Sequence, residues 1–195
     1  MTLFKGKYRI ESIRLPGYDY SQPGAYFITI VTHNRQCSFG NIVDGEMMLN
    51  EFGELVKNEW LKTGNIRRNI IIDAFVVMPN HLHGILIVMD NDDDGGGRGT
   101  LQRASTTTKT GPEMKTKTIE QFGKPTKNSI PTIVRLFKST TTKQINQLRQ
   151  TPMQPLWQHN YYEHIIRNDN ELTRIRQYIT NNPKQWKQDN LNKLL

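Results

Sequence analysis

The sequence has one cysteine and no long apolar run, and each of these absences excludes a class of protein. Cys37 alone cannot form an internal disulfide or build a thiolate zinc site. No run of about 18 apolar residues is present, which argues against a membrane-spanning helix. The first residues also lack the apolar core of a secretory signal. We therefore expect a cytoplasmic protein with no membrane partner.

Positive charge is concentrated in the second half of the 195-residue chain. Residues 1–94 carry 9 basic and 12 acidic side chains, whereas residues 95–195 carry 17 basic and 6 acidic ones. Such an excess is typical of proteins that bind a polyanion, most often nucleic acid. A basic surface that only maintains solubility explains the charge equally well, so the choice depends on other features.

Hydrophobic patterning predicts alternating strands and helices. The predicted extended elements are a strand at 26–32, a hairpin at 42–49, strands at 70–78 and 82–89, and a segment at 155–166. The predicted helices run from 51 to about 62, from 130 to about 150, and from about 169 to 183. This order predicts an α+β, ferredoxin-like antiparallel sheet with helices on one face and an additional carboxy-terminal helix.

The chain is expected to form a single domain, 1–195, interrupted by an insertion at 90–128. The insertion begins with an acidic and glycine-rich run and continues rich in Thr and Lys, so it is expected to be a flexible surface segment. Helical spacing also predicts which side chains are buried. They are Ile133, Leu136, Phe137, Ile145 and Leu148 in the second helix and Leu172, Ile175 and Ile179 in the last.

His81 and His83 are the sharpest local signal of chemistry. They stand two apart at the start of a predicted strand, so both imidazoles lie on one side and can converge on one cation. Two histidines bonded to backbone carbonyls are the alternative, and the pair alone favours metal ligation only slightly. No Cys-x-x-Cys follows, which argues against a zinc deaminase.

Tyr178 and Asn182 form a second constellation, four residues apart on the last predicted helix. By spacing alone, a boundary tyrosine beside a helix-terminating asparagine is the more frequent explanation. Taken with the histidines, however, the set offers three neutral ligands for Mg²⁺ or Mn²⁺ and a tyrosine that can attack a phosphate.

Three segments together resemble the REP-associated tyrosine transposases of the single-tyrosine HUH transposase superfamily. They are Met78–Gly84 (MPNHLHG), Trp157–Arg167 (WQHNYYEHIIR) and Arg176–Pro183 (RQYITNNP). The resemblance extends to residues 15–34 and covers most of the chain except the insertion and the last dozen residues. By position, His81 and His83 match the metal-binding pair, Tyr178 the nucleophile, and Asn182 the third ligand, where some relatives have glutamine.

The resemblance implies metal-dependent cleavage and rejoining of single-stranded DNA through a covalent 5′-phosphotyrosine intermediate. The expected cofactor is Mg²⁺ or Mn²⁺, the partner is single-stranded or hairpin DNA, and the location is the cytoplasm with the nucleoid. Two alternatives remain open: a catalytically silent DNA-binding protein of this fold, and a metal-dependent nuclease without a covalent intermediate. Monomer and homodimer are both compatible with the sequence.

Several further residues are candidates for contact with DNA. The predicted phosphate-facing cations are Lys138, Lys143, Arg149, Arg167, Arg174 and Arg176. Tyr161 and Tyr162 are rival nucleophiles, but they precede the last helix and are interpreted as packing or base-stacking residues. His159 and His164 are weaker metal candidates than the His-x-His pair because they lie in a basic, aromatic stretch suited to DNA.

Overall fold

A computed structural model describes residues 18–90, 126 and 128–192. The elements in chain order are β1 (Gly24–Val31), β2 (Gly40–Val43), β3 (Glu46–Leu49), α1 (Glu51–Asn65), β4 (Ile70–Met78), β5 (His81–Val88), α2 (Ile130–Leu148), β6 (Tyr162–Ile166) and α3 (Asp169–Asn181). Two 3-10 helices lie at His33–Arg35 and Pro183–Gln188. No helix within this described part of the chain is long and apolar enough to cross a membrane.

The main sheet has the strand order β4-β5-β1-β6, and every neighbouring pair is antiparallel. Helix α1 connects β1 to β4 by way of the β2–β3 hairpin, and α2 connects β5 to β6. This is the ferredoxin-like arrangement that the sequence predicts. The hairpin turns at Asp44 and Gly45, both with positive φ, as its Asp-Gly signal predicts.

The two faces of the sheet are covered differently. Tyr26, Ile28 and Ile30 of β1 belong to the large core, which also contains side chains of α1 and α2. The alternate residues Ala25 and Phe27 belong to a smaller cluster formed with α3. Helices α1 and α2 therefore cover one face, and α3 lies on the other.

Gly84 is required by the packing of the large core. A Cβ at this position would lie 2.6 Å from a ring carbon of Trp60, which is fully buried in α1. The indole thus occupies the space above the backbone of β5, on the sheet face opposite the side chain of His83. The glycine that ends the His-Leu-His-Gly motif therefore serves the fold.

The predicted helix starts are confirmed by their caps. The side chains of Asn50, Ser129 and Asn168 accept hydrogen bonds from the backbone N–H three residues on. The prediction of which α2 side chains are buried was wrong for two residues, because Leu136 and Leu148 are exposed by 45% and 48%. The buried stripe instead follows the i, i+3, i+4 spacing through Ile130, Ile133, Val134, Phe137, Thr141 and Ile145.

Two other expectations changed in detail. The segment at 155–158 contributes only an isolated bridge between Thr32 and Trp157 rather than a strand. Pro183 ends α3 as predicted, but it also begins a 3-10 helix that carries the chain towards Asp189. Of the predicted insertion at 90–128, all but Asp90, Thr126 and Asn128 lies outside the described residues.

Candidate active site

His81 and His83 lie at the start of β5, on the sheet face that carries α3. In the strand register His81 is opposite Val31 and His83 is opposite Thr29. Their ring centroids are 4.4 Å apart. Both side chains are almost completely buried, because the residues after α3 pack over this end of the sheet. The shared side predicted from the spacing is thus observed.

A chain of hydrogen bonds identifies the free nitrogen of His81. Asn80 donates from Nδ2 to the carbonyls of Arg35 and Leu191, at 3.1 and 2.7 Å. Its Oδ1 is therefore the acceptor in the 2.8 Å contact with His81 Nδ1. The proton of the neutral ring then resides on Nδ1, and the lone pair on Nε2 is available to a ligand.

His83 is held in the same way from the neighbouring strand. Its Nδ1 lies 2.8 Å from Thr29 Oγ1, and its Nε2 lies 3.2 Å from the hydroxyl of Tyr178. The ring stacks on Phe27 with centroids 5.3 Å apart. The sheet and α3 together thus bring the predicted nucleophile to one of the predicted ligands.

Asn182 and Asp189 complete the site from the carboxy-terminal side. Asn182 Nδ2 donates to Asp189 Oδ2 at 3.4 Å, so its Oδ1 faces elsewhere. Among the described residues, both Asn182 Oδ1 and His81 Nε2 are buried without a hydrogen-bond partner. Buried lone pairs of this kind are costly unless a ligand satisfies them. A divalent cation would do so.

The donor set suits a metal ion chemically. Ligand atoms of His81, His83 and Asp189 all lie within 4.8 Å of one another. Burial lowers the pKa of His81 to about 4, although the Asp189 charge and Asn182 oppose the shift. Burial and the neighbouring His81 lower the pKa of His83. Both rings are therefore neutral near pH 7, which is the form that binds metal.

Sequence analysis missed Asp189. It lies beyond the segments that resemble the family, although it is the only acidic residue from 183 to the end of the chain. Its Oδ1 accepts from the backbone N–H of Leu191 at 2.7 Å, and its Oδ2 lies 3.8 Å from His81 Nε2. Since Asn80 binds the Leu191 carbonyl, the same turn is attached to the histidine motif.

Tyr178 is partly exposed, and its hydroxyl is embedded in the site. Burial and then the charge of Asp189 raise the pKa of Tyr178, while Asn182 acts in the opposite direction. The ring meets Phe27 edge to face at 6.1 Å, which fixes its orientation. The phenol is therefore protonated near neutral pH, and it would need a nearby cation to favour its ionised form.

Two contacts outside the site hold α3 in place. Arg176 makes a bidentate ion pair with Asp73 of β4, at 2.7 and 2.9 Å. His164 Nε2 on β6 lies 2.8 Å from Glu171 Oε1 in the first turns of α3. Because these contacts reach both edge strands, they restrict how the helix bearing Tyr178 can move on the sheet.

The six predicted DNA-facing cations do not form one patch. Lys143 lies in α2 and Arg149 caps its carboxy-terminal end, on the sheet face opposite α3, whereas Arg167 and Arg174 are exposed at or near α3. The Arg176 guanidinium is bound to Asp73, and the Lys138 ammonium is bound to backbone carbonyls described below. A DNA role for these residues stays a prediction.

The rival tyrosines lie in β6 or directly before it, rather than on α3. Tyr161 donates from its hydroxyl to Glu163 Oε2 at 2.6 Å. Tyr162 is half exposed on β6, opposite Thr29. The hydroxyl of Tyr178, in contrast, lies 3.2 Å from His83 Nε2.

The chain is similar to two proteins of one organism. No family model matches the chain. It is 37% identical to an uncharacterised protein of Haemophilus influenzae over 186 residues, covering 95% of this chain and 94% of that protein. It is 26% identical over 168 residues to a second protein of the same organism, provisionally named a REP-associated tyrosine transposase, covering 85% and 73% of the two chains.

A solved structure shares the fold. It is that of a REP-associated tyrosine transposase bound to a REP hairpin, with a TM-score of 0.55 and 19% identity. The match covers 91% of this chain and 74% of the other. At this identity the likeness supports the ferredoxin-like architecture rather than any individual residue.

Proposed function

We propose that this chain is a member of the family of the REP-associated tyrosine transposases, to which it is similar in sequence and fold, and that it cleaves and rejoins single-stranded DNA through a covalent phosphotyrosine. The nucleophile is Tyr178. The metal ligands are His81, His83 and Asn182, and Asp189 is a fourth candidate. The relative whose structure is known was bound to a REP hairpin, which supports single-stranded or hairpin DNA as the substrate of this chain.

One observation carries the proposal. A tyrosine hydroxyl lies 3.2 Å from His83 Nε2, beside two buried atoms, His81 Nε2 and Asn182 Oδ1, that have no partner among the described residues. A nucleophile and a set of unsatisfied ligand atoms therefore share one site. Structural histidines and an ordinary boundary tyrosine would have their polar atoms satisfied by the protein itself.

The chemistry requires one bond to form and one to break in each half-reaction. Tyr178 Oη attacks phosphorus, its proton passes to water at the exposed side of the ring, and the bond to the 3′ oxygen breaks to give a 3′ hydroxyl. In the reverse half-reaction a 3′ hydroxyl attacks the phosphotyrosine and releases the phenol. Energy stored in the covalent bond is thus retained for rejoining.

A bound Mg²⁺ or Mn²⁺ would polarise the scissile phosphate and favour the ionised phenol. The chain's own residues supply the rest. Asn80 and Thr29 hold the two imidazoles with Nε2 directed into the site, and Phe27 orients the tyrosine ring. These contacts precede any substrate, so the site is organised in advance.

The decisive experiment uses denaturing gel electrophoresis with an end-labelled pool of random single-stranded DNA and Mn²⁺. We expect the native protein to form a covalent adduct that survives denaturation, and Tyr178→Phe to form none. The Phe variant should retain DNA binding and thermal stability, since only the hydroxyl is lost. Tyr162→Phe is the matched control and should still form the adduct.

The three outcomes separate the competing functions. Cleavage without an adduct would identify a nuclease that uses water. DNA binding without cleavage would identify a silent DNA-binding protein. An adduct that persists in Tyr178→Phe would move the nucleophile to Tyr161 or Tyr162.

The metal ligands are tested by the double variant His81→Ala, His83→Ala. Adding Mn²⁺ should raise the melting temperature of the native protein, because a ligand that binds only the folded state stabilises it. The double variant should lose both this shift and the adduct. An exposed-histidine control, His159→Ala, should retain both. A shift of equal size in the double variant would place the metal elsewhere.

A further inference from the structure

A pocket opens directly beside Tyr178, and the proposed reaction does not use most of it. Its volume is about 470 Å³, within the range of small-molecule sites. Its lining includes Phe27, His83, Gln158, Asn160, Tyr162 and Tyr178. It lies on the part of the sheet face between α3 and the edge strand β6.

The walls of the pocket are aromatic. Phe27 meets Tyr162 edge to face at 6.3 Å and Tyr178 at 6.1 Å, so it joins two tyrosines that border the cavity. The two tyrosines are 50% and 42% exposed, respectively. Exposed aromatic rings beside a concave surface are suited to stacking with a flat, uncharged ring.

The rim of the pocket supplies amide groups. Gln158 and Asn160 both line it, and within the described part of the chain their side-chain amides have no protein hydrogen-bond partner. An amide presents one acceptor and two donors, the combination that pairs with the edge of a nucleobase. The pocket thus combines stacking surfaces with groups that can read a base edge.

The rim is also rigidly supported. Lys138 of α2 donates from Nζ to the carbonyls of Gln158, His159 and Asn160, the second at 2.9 Å. Burial lowers the pKa of Lys138 to about 8, while three carbonyl acceptors favour the charged ammonium. The backbone of Gln158 is further bonded to Val31, through N–H to carbonyl at 2.9 Å.

We propose that this pocket holds one unpaired nucleobase next to the scissile phosphate, stacked on Tyr162, with Gln158 and Asn160 contacting its edge. The inference rests on the proposed function, because Tyr178 borders both the pocket and the metal site. A base is joined to its phosphate through a single sugar. A phosphate positioned at Tyr178 therefore brings a flanking base to this opening. None of the described residues that line the pocket is acidic, so the lining does not repel the adjoining phosphate.

The test measures binding rather than cleavage. Fluorescence anisotropy compares short oligodeoxyadenylate and oligodeoxythymidylate with an abasic strand of the same length, at one fixed salt concentration. We expect the native protein to bind the base-bearing strands at least about tenfold more tightly than the abasic strand. Tyr162→Ala should lose most of this difference with little change in its affinity for the abasic strand.

Control variants separate stacking from damage to the fold. Tyr162→Phe keeps the ring and should keep the preference for base-bearing strands. Ile71→Ala removes a comparably exposed side chain at the opposite edge of the same sheet and should behave as the native protein. Gln158→Ala and Asn160→Ala should change the ratio of the two homopolymer affinities.

Two results would overturn the inference. One is equal affinity of the native protein for base-bearing and abasic strands, and the other is an equal loss of both affinities in Tyr162→Ala. An unchanged homopolymer ratio in both amide variants would refute the edge contact. Because no cleavage is measured, these outcomes are independent of whether Tyr178 forms an adduct. A silent DNA-binding protein would thus fail the earlier test and could still pass this one.

Discussion

The two faces of the central sheet differ in the kind of buried polar atom that each leaves without a hydrogen-bond partner. On the face covered by α1 and α2, Trp157 Nε1 donates to Thr141 Oγ1, which in turn donates to the carbonyl of Phe137, and the buried donor Trp60 Nε1 has no partner among the described residues. On the α3 face, the buried atoms left without a partner in the same part of the chain include two acceptors, His81 Nε2 and Asn182 Oδ1. A lone N–H group cannot hold a cation, whereas neighbouring lone pairs can.

This difference follows from strand alternation. Ile28 and Ile30 of β1 point to the large core, while Phe27, Thr29 and Val31 point to the site. Each strand therefore contributes to both roles with alternate residues. The molecule can change one face with limited effect on the other, and that separation is open to experiment.

The largest effect on stability is expected on the helix-covered face. Trp60→Ala removes a fully buried indole that packs on Phe137 at 5.2 Å and on the backbone of Gly84. The free energy of unfolding should fall by about 3–5 kcal/mol, measured by urea denaturation. In the fraction that remains folded, Mn²⁺ should still raise the melting temperature, because no ligand atom has been removed.

A neighbouring residue provides the control for this variant. Leu61→Ala changes an adjacent position of α1 that is 40% exposed, and its effect should stay within about 0.5 kcal/mol. Loss of the Mn²⁺ response in folded Trp60→Ala would mean that the two faces are coupled through β5. The two faces would then not be independent of each other.

A smaller loss of free energy of unfolding is expected at acidic pH, from a histidine on the α3 face. The pKa of His81 falls from an ordinary 6.5 to about 4 through burial, so between these values the unfolded chain binds a proton that the folded one does not. The neutral His81 ring therefore contributes to the free energy of unfolding in full above pH 6.5, and this contribution is lost as the pH falls towards 4. For His81 the loss amounts to about 3 kcal/mol at most.

Urea denaturation of metal-free protein between neutral pH and pH 4.5 measures this dependence. His81→Gln should show a shallower decline than the native protein, because one such titration has been removed. His159→Gln, which changes an exposed histidine, should decline as the native protein does. Identical slopes in His81→Gln and the native protein would contradict the assignment of a buried neutral ring.

Much of the fold and the centre of the site could be predicted from local signals. Two continuous apolar runs located β4 and β5, and a polar cap preceded each helix. The two-residue spacing of His81 and His83 and the four-residue spacing of Tyr178 and Asn182 each specify one face of a regular element. Such spacing predicts a shared face reliably because every helix and every strand has the same regular geometry.

The remainder depends on contacts between distant parts of the chain. Asp189 reaches His81 only because Asn80 binds the carbonyl of Leu191, and no periodicity encodes that turn. Lys138 lies in the basic half of the chain and was predicted to contact DNA. Its ammonium instead lies among three carbonyls that are 20 to 22 residues away in sequence. Charge predicts a partner for a lysine without specifying which one.

The smallest effect is expected from shortening the predicted insertion. Both described ends of the gap meet at Asn69: its carbonyl accepts from the N–H of Met89 at 2.8 Å, and its Oδ1 accepts from Asn128 Nδ2 at 3.4 Å. A few Gly and Ser residues in place of 92–125 should therefore span the distance. Loop closure changes by only about 0.6 kcal/mol per doubling of length, so stability should change by about 2 kcal/mol or less.

The shortened protein should be compared with the native one by thermal unfolding, Mn²⁺ response and adduct formation. All three should persist, because His81, His83 and Tyr178 lie outside the deleted segment. DNA affinity should fall only slightly, since the replaced residues 92–125 carry six basic side chains against five acidic ones. A large drop in melting temperature would show instead that the segment packs on the body of the protein. It would then be a third structural region to set beside the two faces of the sheet, and the single domain with a flexible insertion would be the wrong description.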